Sequence, residues 1–217
     1  MINFRPVARV IAVLLMLIGG MMLTGIPFSL YFDSGDFWAL LNSGLICITV
    51  GAGLWLAPIP GTGDIKKREG YLIVAMGWLA MVIFGTLPYL LSGVIPDVVG
   101  AFFEAVSGRT TTGASVLTDI EAAPKGILYW RSLTQWIGGM GIIVLTVAIF
   151  PLLGIGGIEL FVAEAPGPTS DKLHPRIRET AKRLWQIYVG LTGALLLVLM
   201  GVGLDFYEAI NHALTTM

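Results

Sequence analysis

The chain has 217 residues, of which 56% are hydrophobic and 12% charged, with a mean hydropathy of +0.84. Soluble domains carry about 25% charged residues, so this composition excludes an ordinary soluble domain and places the chain in the polytopic membrane class. The formal net charge of −1 comes with no basic tract that would suggest nucleic acid, and the single cysteine, Cys47, lies in an apolar run as packing and permits no intrachain disulfide.

An apolar stretch of about 17–25 residues spans the hydrocarbon core of a bilayer. Five segments meet this in chain order: Ala8 to Leu30, Phe37 to Ala57, Tyr71 to Leu91, Gly126 to Phe150 and Leu184 to Leu204. The first is preceded by Arg5 and Arg9, as in a signal peptide, but its apolar body is too long and no Ala-x-Ala site follows. It reads as an uncleaved first helix. Trp38 and Trp130 fall near one boundary and Trp55 and Trp185 near the other, the pattern of an aromatic belt.

The basic residues sort by side. Arg5 and Arg9 precede the first span, Lys66, Lys67 and Arg68 lie between the second and third, and Lys172, Arg176, Arg178, Lys182 and Arg183 lie between the fourth and fifth. Only Arg109, Lys125 and Arg131, of thirteen Lys and Arg, fall on the other side. The positive-inside rule therefore predicts a cytoplasmic N-terminus and cytoplasmic basic loops. The third span exits outward and the fourth returns, so residues 92–125 begin and end on the outer face.

Inside that interval lies Ala101 to Ser115, AFFEAVSGRTTTGAS, an apolar segment too short to cross, running into Thr110-Thr111-Thr112-Gly113. Such a segment can only dip into the membrane and come back. Non-helical backbone is tolerated at membrane depth only where protein buries it or where it lines a water-filled cavity. Topology and local sequence together predict a re-entrant pore helix and filter loop.

Backbone carbonyls replace the hydration shell of a monovalent cation well, because they are neutral, dipolar and held by the fold. Aiming successive carbonyls at one axis requires unusual dihedrals, and glycine tolerates φ > 0 at little steric cost. Gly113 is the expected positive-φ residue. Thr110, Thr111 and Thr112 are expected to add carbonyls, their hydroxyls tying the loop to its surroundings, and the pore helix to turn its negative dipole end inward. Arg109, directly before the threonines, would repel cations unless neutralised; Glu104 is its nearest acidic candidate, and Arg109 is expected to snorkel outward or pair there.

The loop SGRTTTGAS, the following RSLTQWIGGMGIIVLTVAIFPLLGIGG and the segment AEAPGPTSDKLHPRIRETAKRLWQIYVGLT resemble the TrkH/TrkG members of the Trk/Ktr/HKT potassium-transporter superfamily. The resemblance runs from KKREGYLIV to Met217 and more loosely through the first two helices. Arg109 departs from it, since the family usually carries an apolar residue there.

The resemblance implies an all-α polytopic membrane protein with two leading helices, followed by four helix–pore-loop–helix repeats around one pore. On that pattern residues 1–65 hold the leading helices, 66–152 the first repeat, 153–183 a cytoplasmic linker and 184–217 the start of a second repeat. Thr110, Thr111, Thr112, Gly113 and Ala114 match the first filter strand. The implied function is potassium uptake across the cytoplasmic (inner) membrane, with K+ as the transported ion and no organic cofactor. Implied partners are a cytosolic TrkA-like nucleotide-binding ring meeting the segment from Glu164 to Arg183, membrane lipid, and a second copy in a homodimer. Whether transport is channel-like or a symport with protons or sodium is open.

FYEAI near the end echoes FFEAV at Phe102 to Val106, while another register lays His212-Ala213-Leu214 over Ala101-Phe102-Phe103. In either, a second filter strand is absent, so the chain reads as a truncated form that would not conduct alone. Gly138, Gly139 and Gly141 suit close helix packing behind the filter, and Pro151 with Gly154, Gly156 and Gly157 suits a helix stop. The alternative reading is a non-transport membrane scaffold or assembly subunit. An enzyme is not implied: the spans hold no Ser/His or paired-Asp constellation, and His174 and His212 lack partners at metal-ligand spacing.

Overall fold

The computed structural model describes residues 3–61, 67–144 and 173–217. Among them every regular element is a helix: α1 (Phe4–Leu23), α2 (Ile26–Tyr31), α3 (Phe37–Leu56), α4 (Lys67–Gly85), α5 (Leu87–Leu91), α6 (Val98–Arg109), α7 (Lys125–Val144), α8 (Leu173–Val202) and α9 (Phe206–Thr216). The chain divides into two compact units, Met1–Trp136 and Ile137–Met217. Four stretches are long and apolar enough to cross a membrane, Phe4–Tyr31, Phe37–Leu56, Arg68–Leu91 and Glu179–Val202. They coincide with four of the five expected spans. The remaining one is α7, followed to Val144; its inner end, with Pro151, Gly154, Gly156 and Gly157, lies outside the described residues, as do residues 153–172 of the linker.

In the first unit α1 packs against α3 and α4. The α1–α3 seam is backbone on backbone. A Cβ on Gly19 would stand 2.6 Å from the Gly44 carbonyl, one on Gly44 2.7 Å from Leu23 Cδ2, and one on Gly51 2.8 Å from the Ala12 carbonyl. Small residues at such crossings allow the approach on which helix association in lipid relies. At one end of this unit the backbone N–H of Asn3 donates to Glu69 Oε1 (2.9 Å) and Arg5 Nη1 donates to the Gly61 carbonyl (3.0 Å). There the Arg9 guanidinium also lies 4.4 Å from the Trp55 ring centroid. The starts of α1 and α4 and the end of α3 therefore share one face with Arg5, Arg9 and Arg68, as the charge sorting requires.

Two spans that read as continuous in sequence are interrupted. Proline has no N–H to donate and its ring clashes with the carbonyl four residues back, so Pro27 separates α1 from α2 and Pro88 separates α4 from α5. At each break a threonine hydroxyl turns back to the helix it leaves: Thr24 Oγ1 donates to Met21 O and Thr86 Oγ1 to Ile83 O, both at 2.6 Å. At the second break the Gly85 carbonyl accepts the Trp130 indole N–H at 3.3 Å. Trp130 is therefore fully buried at 0% exposure and does not belong to an interfacial belt; Trp38, Trp55 and Trp185 are exposed.

The leading helices also fix the start of α7. Asp36, buried just ahead of α3, accepts from the backbone N–H of Ile127 at 2.7 Å. A carboxylate from a distant segment thus satisfies one of the orphan donors that every helix N-terminus leaves. The fit depends on Gly126, where a Cβ would stand 2.6 Å from Asp36 Oδ2. Beside it Phe28 and Tyr129 pack with ring centroids 4.7 Å apart.

In the second unit α8 packs on α9. α8 has 30 residues, a length of about 45 Å at 1.5 Å per residue, and so exceeds the roughly 30 Å hydrocarbon core. The helix expected to lead into the fifth span from Pro175 is continuous with it.

Gly19→Ala is expected to lower the melting temperature of the detergent-purified protein by a cost of about 1–3 kcal/mol, as overpacking does. Gly20→Ala, where a Cβ meets nothing within 4 Å, should leave it unchanged or raise it.

Candidate filter loop

α6 has 12 residues, about 18 Å of helix, too short to span. Asp97 caps it, accepting from Gly100 N at 2.7 Å. α9 is capped in the same way, Asp205 accepting from Glu208 N at 2.7 Å. Aligning these caps lays the buried Ala209 and Ala213 over the buried Ala101 and Ala105, and His212 over Glu104. This replaces both registers suggested by the sequence, because a cap fixes where a helix begins whereas a repeated FxEA string does not.

The C-terminus of α6 closes as a Schellman motif. Thr112 N donates to Ser107 O (3.0 Å) and Thr111 N to Gly108 O (3.1 Å), the pair of bonds that ends a helix when one residue turns left-handed. That residue is Thr111, with φ 57°, where glycine is usual and a β-branched residue is an outlier. Gly113 is also left-handed, at φ 77°. Among these residues only Thr111 and Gly113 have positive φ, so handedness alternates from Thr110 to Ala114. In a strand of one handedness successive carbonyls alternate sides; alternating the handedness lets them share a side.

No carbonyl of Thr110, Thr111, Thr112 or Gly113 accepts a hydrogen bond among the described residues. The Ala114 carbonyl differs: it accepts from Ser107 Oγ at 2.5 Å, which turns it toward the pore helix. The threonine hydroxyls hold the turn, Thr110 Oγ1 donating to Val106 O at 2.9 Å and lying 2.8 Å from Thr112 Oγ1. All five residues, Thr110 to Ala114, are exposed.

The loop is anchored by Glu104, which is 1% exposed. Its carboxylate accepts from Arg131 Nε on α7 (2.7 Å), from Ser115 Oγ (3.0 and 2.9 Å to its two oxygens) and from Val116 N (2.9 Å). One side chain therefore joins the pore helix, the following helix and the strand leaving the loop. α6 also meets α7 through Gly108, where a Cβ would stand 2.6 Å from Thr134 Oγ1. This contact sets α7 against the pore helix; farther along α7, a Cβ on Gly139 would meet Tyr188 Oη of α8 at 2.8 Å.

Arg109 corrects a sequence expectation. It neither snorkels nor pairs with Glu104, whose charge is taken by Arg131. Its exposure is 1%, and its Nε and Nη1 have no hydrogen-bond partner among the described residues. The side chain lies toward Gly85, whose Cβ would be 3.7 Å from Nη2. The Tyr89 hydroxyl is buried nearby. A helix C-terminus carries an effective charge of roughly −0.5, so the Arg109 cation in the last turn more than cancels the negative end of α6. Ser107, Gly108 and Arg131 gave no sequence signal of their roles, since each depends on what the fold places opposite.

A short helix between two spans, ending in a loop of free carbonyls, makes this an all-α polytopic membrane protein of the helix–pore-loop–helix type. Residues 38–217 match the TrkH family, described as a cation transport protein, and the chain belongs to that family. It is 42% identical to the Trk system potassium uptake protein TrkH of Escherichia coli K12 over 99% of its own length and 45% of the relative's. It is 34% identical to TrkG of the same organism, covering 45% of that protein. The crystal structure of the potassium transporter TrkH from Vibrio parahaemolyticus matches with a TM-score of 0.82 at 37% identity, over 98% of this chain and 42% of that one. The chain thus spans less than half the length of the relatives it matches.

Glu104→Gln removes the charge that neutralises buried Arg131. Breaking a buried pair from one side costs about 3–5 kcal/mol. The variant is expected to melt at lower temperature in detergent and to be cleaved faster between Val116 and Pro124 under limited proteolysis.

Proposed function

We propose that this chain forms part of the pore of a Trk-type potassium uptake system in the cytoplasmic membrane, with Thr110 to Ala114 as one filter strand. The observation that carries this reading is the run of four carbonyls, Thr110 to Gly113, unpartnered among the described residues, with alternating handedness at the end of a helix too short to span. Left-handed threonine costs on the order of 1–3 kcal/mol, and such strain clusters at functional sites. K+ sheds water as it meets these dipoles, and the carbonyls supply the oxygens it loses. Ala114 lends support through its bond to Ser107 rather than through a free carbonyl. The selection step is ion dehydration, so no bond-making chemistry is required.

On this reading residues 1–65 are the two leading helices, 66–152 the first helix–pore-loop–helix repeat, 153–183 a cytoplasmic linker and 184–217 the start of a second. The remaining filter strands come from further repeats. The N-terminus and the basic loops face the cytoplasm, in accord with the gathering of Arg5, Arg9 and Arg68 at one end of the first unit. The polar segment from Glu164 to Arg183 faces a TrkA-like nucleotide-binding ring, and two copies associate as a homodimer; both follow from the family resemblance.

Two measurements test this. In potassium-limited growth of an uptake-deficient strain carrying the full gene, Gly113→Asp is expected to abolish rescue; unimpaired growth at normal membrane levels removes Gly113 from the filter. For topology, Asp119→Cys should react with an impermeant maleimide in intact cells and Lys182→Cys only after permeabilisation, both in a background with Cys47→Ala. The reverse pattern inverts the orientation.

A further inference from the structure

We infer that Arg109 is an affinity-setting residue of the filter strand: a buried cation behind the loop, without a counter-charge among the described residues, that weakens cation binding there. This rests on the assignment of Thr110 to Ala114 as a filter strand. Arg109 is the residue immediately before that strand and the last of the pore helix. Its guanidinium is almost fully buried, with Nε and Nη1 unpartnered among the described residues, and the buried carboxylate on the same helix, Glu104, is paired with Arg131 at 2.7 Å. The cluster of Glu104, Arg131 and Arg109 therefore carries a net charge of +1, in a setting where water screens it poorly.

Burying such a charge destabilises the fold, because among the described residues no counterion, and at Nε and Nη1 no hydrogen bond, offsets its desolvation. The strand beside it feels a positive potential in place of the negative one a bare helix end would give. Weaker binding at a filter strand has a use, since conduction requires that an ion enter favourably and still leave. Arg109 acts through the potential at the carbonyls and does not touch the ion.

The test exploits valence. A change in potential that multiplies the affinity for a monovalent ion by some factor multiplies that for a divalent ion by its square. Ba2+ has nearly the radius of K+ and twice its charge. In the full-length protein, Rb+ uptake kinetics and Ba2+ inhibition are measured for wild type, Arg109→Met, Arg109→Gln and Arg109→Lys. Both neutral variants are expected to lower the KM for Rb+ on the order of tenfold and the Ba2+ inhibition constant on the order of a hundredfold. Arg109→Lys should keep wild-type values, and the neutral variants should melt at a higher temperature.

An unchanged or raised KM in both neutral variants overturns the inference, as does an equal change for Rb+ and Ba2+, which would indicate altered geometry. Loss of both neutral variants from the membrane while Arg109→Lys persists also overturns it, making the charge a requirement of folding. Gly113→Asp in parallel separates the two levels: if it abolishes uptake while Arg109 variants leave KM unchanged, the filter assignment stands and this inference fails. If Gly113→Asp leaves uptake intact, the filter assignment itself fails.

Discussion

The carboxylate of Glu104 is the point on which the loop depends. It joins three backbone segments: its own pore helix, α7 through Arg131, and the strand that leaves the loop at Ser115 and Val116. A buried carboxylate is costly unless charge and hydrogen bonds offset its desolvation, and here both do. Because the partners arrive from different elements, the interaction forms only when all three are in place. It therefore works as a register lock for the exit of the loop, while the Schellman turn at Thr111 sets its entry.

Behind this lock stands a second layer. Asp36 supplies an N-terminal cap to α7 from across the fold, and Gly126 leaves room for it. The helices ahead of the pore segment thus position the helix that carries Arg131. Their own spacing comes from the glycine seam between α1 and α3, and the proline break after Gly85 frees a carbonyl that Trp130 then uses. Each contact passes position inward, from the glycine seam to α7, from α7 to Glu104, and from Glu104 to the loop.

The electrostatics of the pore helix run against the simplest expectation. A helix that ends at a cation path should offer its negative end, yet here the last turn carries a buried guanidinium. On the proposed filter reading, attraction at the loop comes from the carbonyls themselves, whose orientation follows from local handedness. That places the weight of the site on Thr111 and Gly113, the two left-handed residues. The first owes its conformation to the helix cap, and the second to glycine's freedom from a Cβ.

Membrane class, the span positions, the short pore segment and the positive φ of Gly113 were legible in the sequence, because each depends on composition, length or the chemistry of one residue. So were the filter residues as candidates, since a Thr/Gly run following a segment too short to cross has few other physical uses. What partners a side chain was not legible. Glu104 reads as a counterion for Arg109 when only sequence distance is known, but the fold brings Arg131 to it from 27 positions away. Trp130 reads as an interfacial residue until the proline break offers its indole a carbonyl. The left-handed Thr111 is invisible to propensity because two helix-closing bonds impose it. Sequence determined which residues enter the membrane and where the chain turns, which are local free energies. Tertiary structure alone decided which charges meet, and that Arg109 finds no counter-charge among the described residues, because that depends on distances between segments that sequence order does not encode.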